Sequence, residues 1–323
     1  MIKKERKIPL ILQKYEALLR RLPAAHPKRE LIEKELAKRR AGYEGEKSID
    51  YFLKEVSKDR YFIFHDLRLP IGDSFVQFDT ILLSASYLLI LEVKNIKGTL
   101  YFDPYIQLLR VIDSEEEAFP DPILQTERQQ KKLISWLTSY QLPMLPIEFL
   151  IVISDPSTIL KTAPPHKRIP PMVIRAAHLP HKIEAFEKMY REEKITRKEM
   201  NKISRLFLKQ HTPLNSDVLS AFHLSKDDIL TGVHCPNCFT LPILKHPHRN
   251  RWTCPKCHTI HPDAHIAALL DYALLFGTTI TNRECRRFLH LTSVPSAAKL
   301  LAAMNLEYTG TFRDRKYVLP LIE

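Results

Sequence analysis

Glycine is scarce in this chain, 7 residues in 323 against 23 prolines. Neither G-x-x-x-x-G-K-[ST] nor G-x-G-x-x-G occurs, which excludes the phosphate-cradling turns of P-loop and dinucleotide-binding folds. Long apolar runs are missing too. The basic start, MIKKERKIPLILQKY, has too short an apolar run before Gln13 and Lys14 for a signal-peptide core. No stretch approaches the roughly 18 uncharged apolar residues of a membrane helix. The expectation is a cytoplasmic protein with reduced cysteines and no membrane partner; oligomeric state is not readable. Hydrophobic content of 45% and charged content of 27% are ordinary for soluble proteins, and the length suffices for two or three domains.

What is abundant is positive charge, and it is unevenly placed. The net charge is +12, with residues 1–40 carrying +8, 41–165 carrying −6, and 166–233 and 234–323 carrying +5 each. Basic flanks around one acidic part suit a polyanion held beside a cation-attracting pocket, and suit equally a solvated basic surface.

The acidic part contains FVQFDTILLSASYLLILEVKNIKG, residues 75–98. Two apolar runs flank Ser84-Ala85-Ser86; Asp79 interrupts the first, Glu92 and Lys94 the second. Charged groups are expensive to bury unless paired or bound to metal. Side chains two apart on a strand share a face, so Glu92 and Lys94 lie together. A hairpin about Ala85 brings Asp79 beside Glu92, to within about a residue of register. Two readings fit: a site for a hard divalent cation such as Mg2+ or Mn2+, and a salt bridge in a structural hairpin.

The same residues resemble the D…ExK signature of the PD-(D/E)xK nuclease superfamily. More closely, about Gly42 to Gln129 resembles the nuclease-related domain, NERD. The matching pieces are Gly42-Tyr43-Glu44-Gly45-Glu46, His65-Asp66-Leu67-Arg68-Leu69-Pro70, Gln77-Phe78-Asp79, Glu92-Val93-Lys94-Asn95 with Gly98, and Asp121-Pro122-Ile123-Leu124-Gln125. Phe78 stands where the superfamily name has Pro. The resemblance implies a restriction-endonuclease-like α/β core and a metal-dependent nuclease. In it Asp79 and Glu92 hold Mg2+ or Mn2+, Lys94 orients water, and Glu46 on the first helix faces the site with Glu44 as second candidate. Gln125 becomes a positioning residue; by itself it reads as a polar helix-surface residue.

Periodicity adds detail. Residues 1–40 read as basic helices broken at His26-Pro27, further helices are expected over about Tyr43–Ser57 and Arg197–Gln210, and Thr196…Glu199 and Thr281…Glu284 read as capping boxes. Strands are expected at Tyr61–Leu67, Phe75–Leu83, Tyr87–Lys94, Thr99–Phe102, Ile106–Ile112 and Ile147–Ser154, with Asp113–Asp121 and Pro156–Pro171 as loops. The expected organisation is a 1–40 helical segment, a 41–175 nuclease-like α/β domain with a mixed sheet, a 176–233 helical connector, a 234–262 zinc ribbon and a 263–323 winged helix-turn-helix.

Cys235, Cys238, Cys254 and Cys257 give C-x2-C-x15-C-x2-C, the spacing of a closed, structural four-thiolate Zn2+ site; a redox dithiol would not need two matching knuckles. Beyond them, helix, turn, helix and a basic hairpin resemble a winged helix-turn-helix. That places Ser296 and Lys299 toward a groove and Arg313, Arg315 and Lys316 toward phosphates, with DNA favoured over RNA. A helical cap for protein contacts is the other reading of this module. The function expected is a metal-dependent nuclease acting on phosphodiester bonds; the alternative is a non-catalytic nucleic-acid-binding regulator on the same scaffold.

Overall fold

The computed structural model describes residues 1–56, 59–102, 108–162, 169–246, 249, 251–311 and 314–321. The chain forms two compact units, one of Met1–Lys7 with Lys38–Leu214, the other of Ile8–Ala37 with Asn215–Glu323. In chain order the elements begin with β1 (Ile2–Lys4), α1 (Leu10–Arg21), α2 (Arg29–Ser48) and α3 (Asp50–Leu53). Then come β2 (Phe62–Ile71), β3 (Ser74–Leu83), β4 (Leu88–Lys94), β5 (Thr99–Phe102), β6 (Leu108–Ile112), β7 (Glu115–Phe119) and α4 (Pro122–Ser139). After these lie β8 (Ile147–Ile153), β9 (Ile159–Thr162), β10 (Val173–Arg175), α5 (Leu179–Met189), α6 (Arg197–Gln210) and α7 (Val218–Ala221). The chain closes with β11 (Leu244–Lys245), β12 (Trp252–Thr253), β13 (Ile260–His261), α8 (Ala264–Phe276), β14 (Thr279–Thr281), α9 (Asn282–Leu289), α10 (Val294–Ala303), β15 (Tyr308–Thr309) and β16 (Lys316–Val318).

The first unit is mixed α/β. Its main sheet runs β1-β2-β3-β4-β8-β10, antiparallel across β2-β3-β4 and parallel at both outer parts. Apolar side chains on one face pack under α4 and α6, where Phe64 and Phe78 meet Leu133, Trp136 and Phe207. The other face takes α3 and α5, with Leu82, Leu89 and Leu91 against Ile49, Leu53 and Ile183. A sheet covered on both faces needs near-continuous apolar strands, which is how LLILEVK and IEFLIVI read. A second sheet, β7-β6-β5-β9, lies in the same unit.

Several local expectations need correction. The helix foreseen from Tyr43 is the end of α2, which starts at Arg29, so Gly42, expected just before the helix, lies inside it with Gly45. The acidic stretch after Asp113 holds a strand, because β7 is an exposed edge paired only to β6 and needs no apolar face. The proline-rich stretch contains β9, parallel to β5; residues 163–168 and the first two residues of the Ile106–Ile112 strand lie outside the described part.

In the second unit, β11-β12-β13 forms the ribbon sheet and β14-β16-β15 a second antiparallel sheet. Ribbon and C-terminal helices share one core, in which Val233, Ile243 and Trp252 join Leu269, Tyr272, Phe288, Leu300 and Leu301. The capping boxes expected at Thr196–Glu199 and Thr281–Glu284 are both formed. Among the described residues no helix is long and apolar enough to cross a membrane.

Candidate functional site

The β3–β4 hairpin pairs Thr80 with Leu91 and Leu83 with Leu88, and its ladder goes no further outward than Thr80–Leu91. Asp79 and Glu92 stand one residue past that last pair. There β4 continues on β8 to Lys94, while β3 continues on β2 to Ser74. The N–H of Val93 is taken by Asp79 Oδ2 at 2.8 Å. The carboxylate thus replaces a ladder carbonyl, and satisfies a donor that would otherwise be stranded.

Glu92 is 3% exposed. Lys94 Nζ donates to its Oε1 at 2.7 Å and to Gln125 Oε1 at 3.0 Å, while Gln125 Nε2 donates back to Glu92 Oε1 at 2.8 Å. Gln129, one turn along the same face of α4, donates Nε2 to Glu92 Oε2 at 2.9 Å and to the Gln77 carbonyl at 3.1 Å. Its buried Oε1 has no partner. Helix α4 is aimed here by Asp121, whose side chain caps Ile123 N–H at 2.7 Å, with Pro122 at the first helical position.

Glu46 reaches the site from α2. Gly45 beside it is buried, and a β-carbon there would overlap the Asn95 side chain and lie 2.8 Å from Ser154 Oγ, so only glycine seats the helix this closely on the ends of β4 and β8. Arg6, just past β1, binds Glu46 Oε2 at 2.8 Å, Asp50 at 3.0 Å and Thr80 Oγ1 at 3.0 Å, and lies 2.9 Å from His65 Nδ1. Its side chain is 4% exposed.

The electrostatics follow from this crowding. The Asp79 carboxyl is held well above the usual range, by burial first and then by the negative charges of Glu92 and Glu46, against the Val93 N–H and Lys94. Burial lifts Glu46 to about 7, opposed by Arg6 and reinforced by Asp66, Glu92 and Asp50. Burial, then the Arg6 charge, presses His65 down to about 4, so it is neutral beside the guanidinium.

Carboxylates that raise one another's proton affinity in this way are short of positive charge, and hard oxygen donors suit Mg2+ or Mn2+. Among the described residues only the four cysteines bring three or more potential ligand atoms within 4.8 Å of one another. The carboxylates are therefore not gathered into an all-protein cage. Mg2+ takes one or two carboxylates and fills its octahedron with water and phosphate oxygens, so it does not require such a cage. Of the expected residues, Asp79, Glu92, Lys94 and Gln125 come together and Glu46 joins them electrostatically, whereas Glu44 is exposed on α2. Sequence reasoning missed Gln129, Arg6, His65, Asp50 and Thr80. Gln129 was findable as the i+4 neighbour of Gln125; Arg6 carries no local signal.

In the ribbon, Cys235 Sγ lies 3.6 Å from Cys257 Sγ and Cys238 Sγ 3.5 Å from Cys254 Sγ. For Cys235 burial opposes ionisation, but the backbone N–H groups of Cys238 and Asn237 more than offset it and bring the thiol to about 5. The Thr259 hydroxyl and N–H bring Cys257 to about 7. Cys238 moves the other way: against the Thr240 hydroxyl and N–H, burial and the neighbouring Cys257 and Cys254 raise its thiol. Four converging sulfurs fit tetrahedral Zn2+. Cys285 is buried, and burial pushes its thiol up to about 12.

Further along, Lys299 is exposed and Ser296 half-buried on α10, Lys316 is exposed on β16, and the Arg315 guanidinium lies 4.3 Å over the Tyr308 ring. Arg313 lies outside the described residues.

Residues 41–154 match the family model of the nuclease-related domain, and the chain carries that domain there. No curated protein and no solved structure matches the chain.

Proposed function

We propose that this protein is a metal-dependent nuclease hydrolysing phosphodiester bonds, with DNA favoured over RNA. The observation that carries the reading is the convergence of Asp79, Glu92 and Lys94 where the β3–β4 ladder ends, bridged by Gln125. Asp79 and Glu92 would hold Mg2+ or Mn2+. That ion supplies a Lewis acid for the scissile phosphate and a more acidic water. Lys94, ion-paired to Glu92 and oriented by Gln125, orients the attacking water and offsets charge growing on the phosphate. Glu46, with its carboxyl near neutrality, completes the polar shell and can hold a proton at its exposed edge. Gln129 fixes the Glu92 rotamer from behind.

The second unit supplies the hold on the polymer. Helix α8, β14, α9, α10 and the β15–β16 hairpin follow one another in the order of a winged helix-turn-helix. Lys299, Arg315 and Lys316, with Ser296 and Arg313, would meet the nucleic acid. Zn2+ on the four cysteines would stabilise the ribbon.

The test is cleavage of plasmid, single-stranded DNA and RNA in Mg2+ or Mn2+. Glu92→Ala and Lys94→Ala should each lose at least about 100-fold in rate; variants that cut like the parent refute the assignment. One observation favours the alternative of a non-catalytic binding protein: both Glu92 oxygens are already engaged. Salt-sensitive binding without cleavage in any metal would select it.

A further inference from the structure

The outer side of the zinc ribbon is not used by the site above. Antiparallel pairing sets Leu244 against Thr253 and Thr253 against Ile260, so the three side chains form one row across β11, β12 and β13. Leu244 is 64% and Ile260 51% exposed, whereas Trp252 on the alternate row is buried beside His265. The two knuckles add a second feature. Phe239 follows Cys238 and His258 follows Cys257, each in the left-handed backbone region at φ 57° and 58°. Their N–H groups close the knuckle turns on the Cys235 and Cys254 carbonyls at 3.0 Å.

Glycine fits such a position best, and a β-carbon there costs roughly 1 kcal/mol. Packing does not offset that cost for Phe239, whose ring is 69% exposed. The ribbon thus carries two solvent-facing rings at its knuckles and an exposed apolar row on its sheet. The charge around them indicates the partner. Residues 232–262 include Lys245, Arg249, Arg251 and Lys256 and no Asp or Glu, the next acid being Asp263. Lys256 lies exposed inside the second knuckle.

We propose that these exposed groups of the ribbon form a binding site for single-stranded nucleic acid. Bases stack on Phe239 and His258 and pack on the Leu244–Ile260 row, while Lys256 and its neighbours meet phosphates. A duplex does not fit the chemistry, because its base faces are stacked away. The inference rests on nucleic acid as the partner and not on cleavage.

The experiment is fluorescence anisotropy with labelled oligothymidylate, oligouridylate and a duplex of equal length. It uses the full zinc-loaded chain without added Mg2+ or Mn2+, over about 50–200 mM salt. The parent should bind the single strands, and each ribbon variant is compared with it on every probe. Phe239→Gly should keep its zinc and melt no lower than the parent, since the strain is relieved, yet bind single strands about 5- to 100-fold more weakly, the loss of one stacked base. Leu244→Ser with Ile260→Ser should weaken binding in the same sense. Lys256→Ala should lower the salt slope by about 0.7. Full single-strand affinity of Phe239→Gly, an equal loss of its duplex affinity, or loss of its zinc overturns the proposal. So does a ribbon that retains a protein partner but no oligonucleotide. A parent that binds the single strand without ever cutting it removes the nuclease reading and leaves this one intact.

Discussion

Two glycines on one helix should respond to alanine in opposite directions. Gly42 and Gly45 both lie inside α2, where alanine is favoured over glycine by about 1 kcal/mol. Around Gly42 nothing lies within 4 Å of the added methyl, so Gly42→Ala should stabilise by about 0.5–1 kcal/mol. At Gly45 the methyl would overlap the Asn95 Cβ and crowd Ser154 Oγ. The Asn95 Cβ is held by its backbone and cannot swing away, so helix or strand end must move by about 1 Å in a close-packed interior. Overpacking of this kind costs about 1–3 kcal/mol, which cancels or exceeds the helix gain of about 1 kcal/mol and leaves a net loss of up to about 2 kcal/mol. The same displacement carries Glu46 and should lower the cleavage rate by about 100-fold. Urea unfolding followed by Trp136 fluorescence in a Trp252→Phe background reads the first unit alone, since the chain has 2 Trp. Equal stability of the two alanine variants would refute the seating of α2 on β4 and β8.

Glu46 should make the metal-free protein less stable as pH rises. It ionises at 4.5 when unfolded and at about 7 when folded. Its contribution is whole below 4.5 and is lost between 4.5 and 7, by about 2–3 kcal/mol after allowance for solvent. The depressed His65 acts with the opposite sign, so the measure is the difference in unfolding free energy between parent and Glu46→Gln across pH 4.5–8; a flat difference refutes it. In the second unit Arg21 is fully buried, with Nε 2.8 Å from Asp271 Oδ2 and the guanidinium over the Phe288 ring. Asp271→Ala strands that charge and should cost about 3–5 kcal/mol, read by Trp252 fluorescence in urea. Metal analysis should find one zinc per chain, lost in Cys254→Ser along with cooperative melting of the second unit.

The sequence disclosed those parts of the molecule in which local pattern and tertiary demand agree. The starts of α6 and α9, with their capping boxes, are where cap chemistry sets them, because a helix end must satisfy its own N–H groups with nearby side chains. Cysteine spacing located the thiolates because a knuckle is a local structure. The failures share a cause. Strand β7 is made by its neighbour's hydrogen bonds, and EEEAF shows neither alternation nor an apolar run. Arg6 reaches Glu46, Asp50 and Thr80 only because β1 pairs in parallel with β2, and parallel pairing over some sixty residues of chain leaves no mark near Arg6 itself. The helix expected from Tyr43 starts at Arg29 and runs through Gly42 and Gly45, although glycine is a poor helix former. One of them is there for close packing, a reason written in Asn95 and Ser154.

Why the site stands where it does can be argued from the pleat. Phe62 and Phe64 face the core under α4 and α6, and so do Leu67 and Leu69; the step from 64 to 67 breaks strict alternation. On the partner strand Val76 and Phe78 face that core, and so do Ile81 and Leu83. Both strands reset their faces at the same level, at Asp66, which takes φ 48°, and at Asp79–Thr80. Register on either side is unchanged, with His65 opposite Thr80 and Leu67 opposite Phe78. A uniform sheet of this composition has no room for a carboxylate, since each inward position meets apolar neighbours. The paired irregularity opens that room, turns Asp79 toward the Val93 N–H, and leaves β3 and β4 to part just where Glu92 and Lys94 begin. The charges in the hairpin are thus tolerated because the ladder fails beside them. Restoring regular pairing would destroy the site before it disturbed the core.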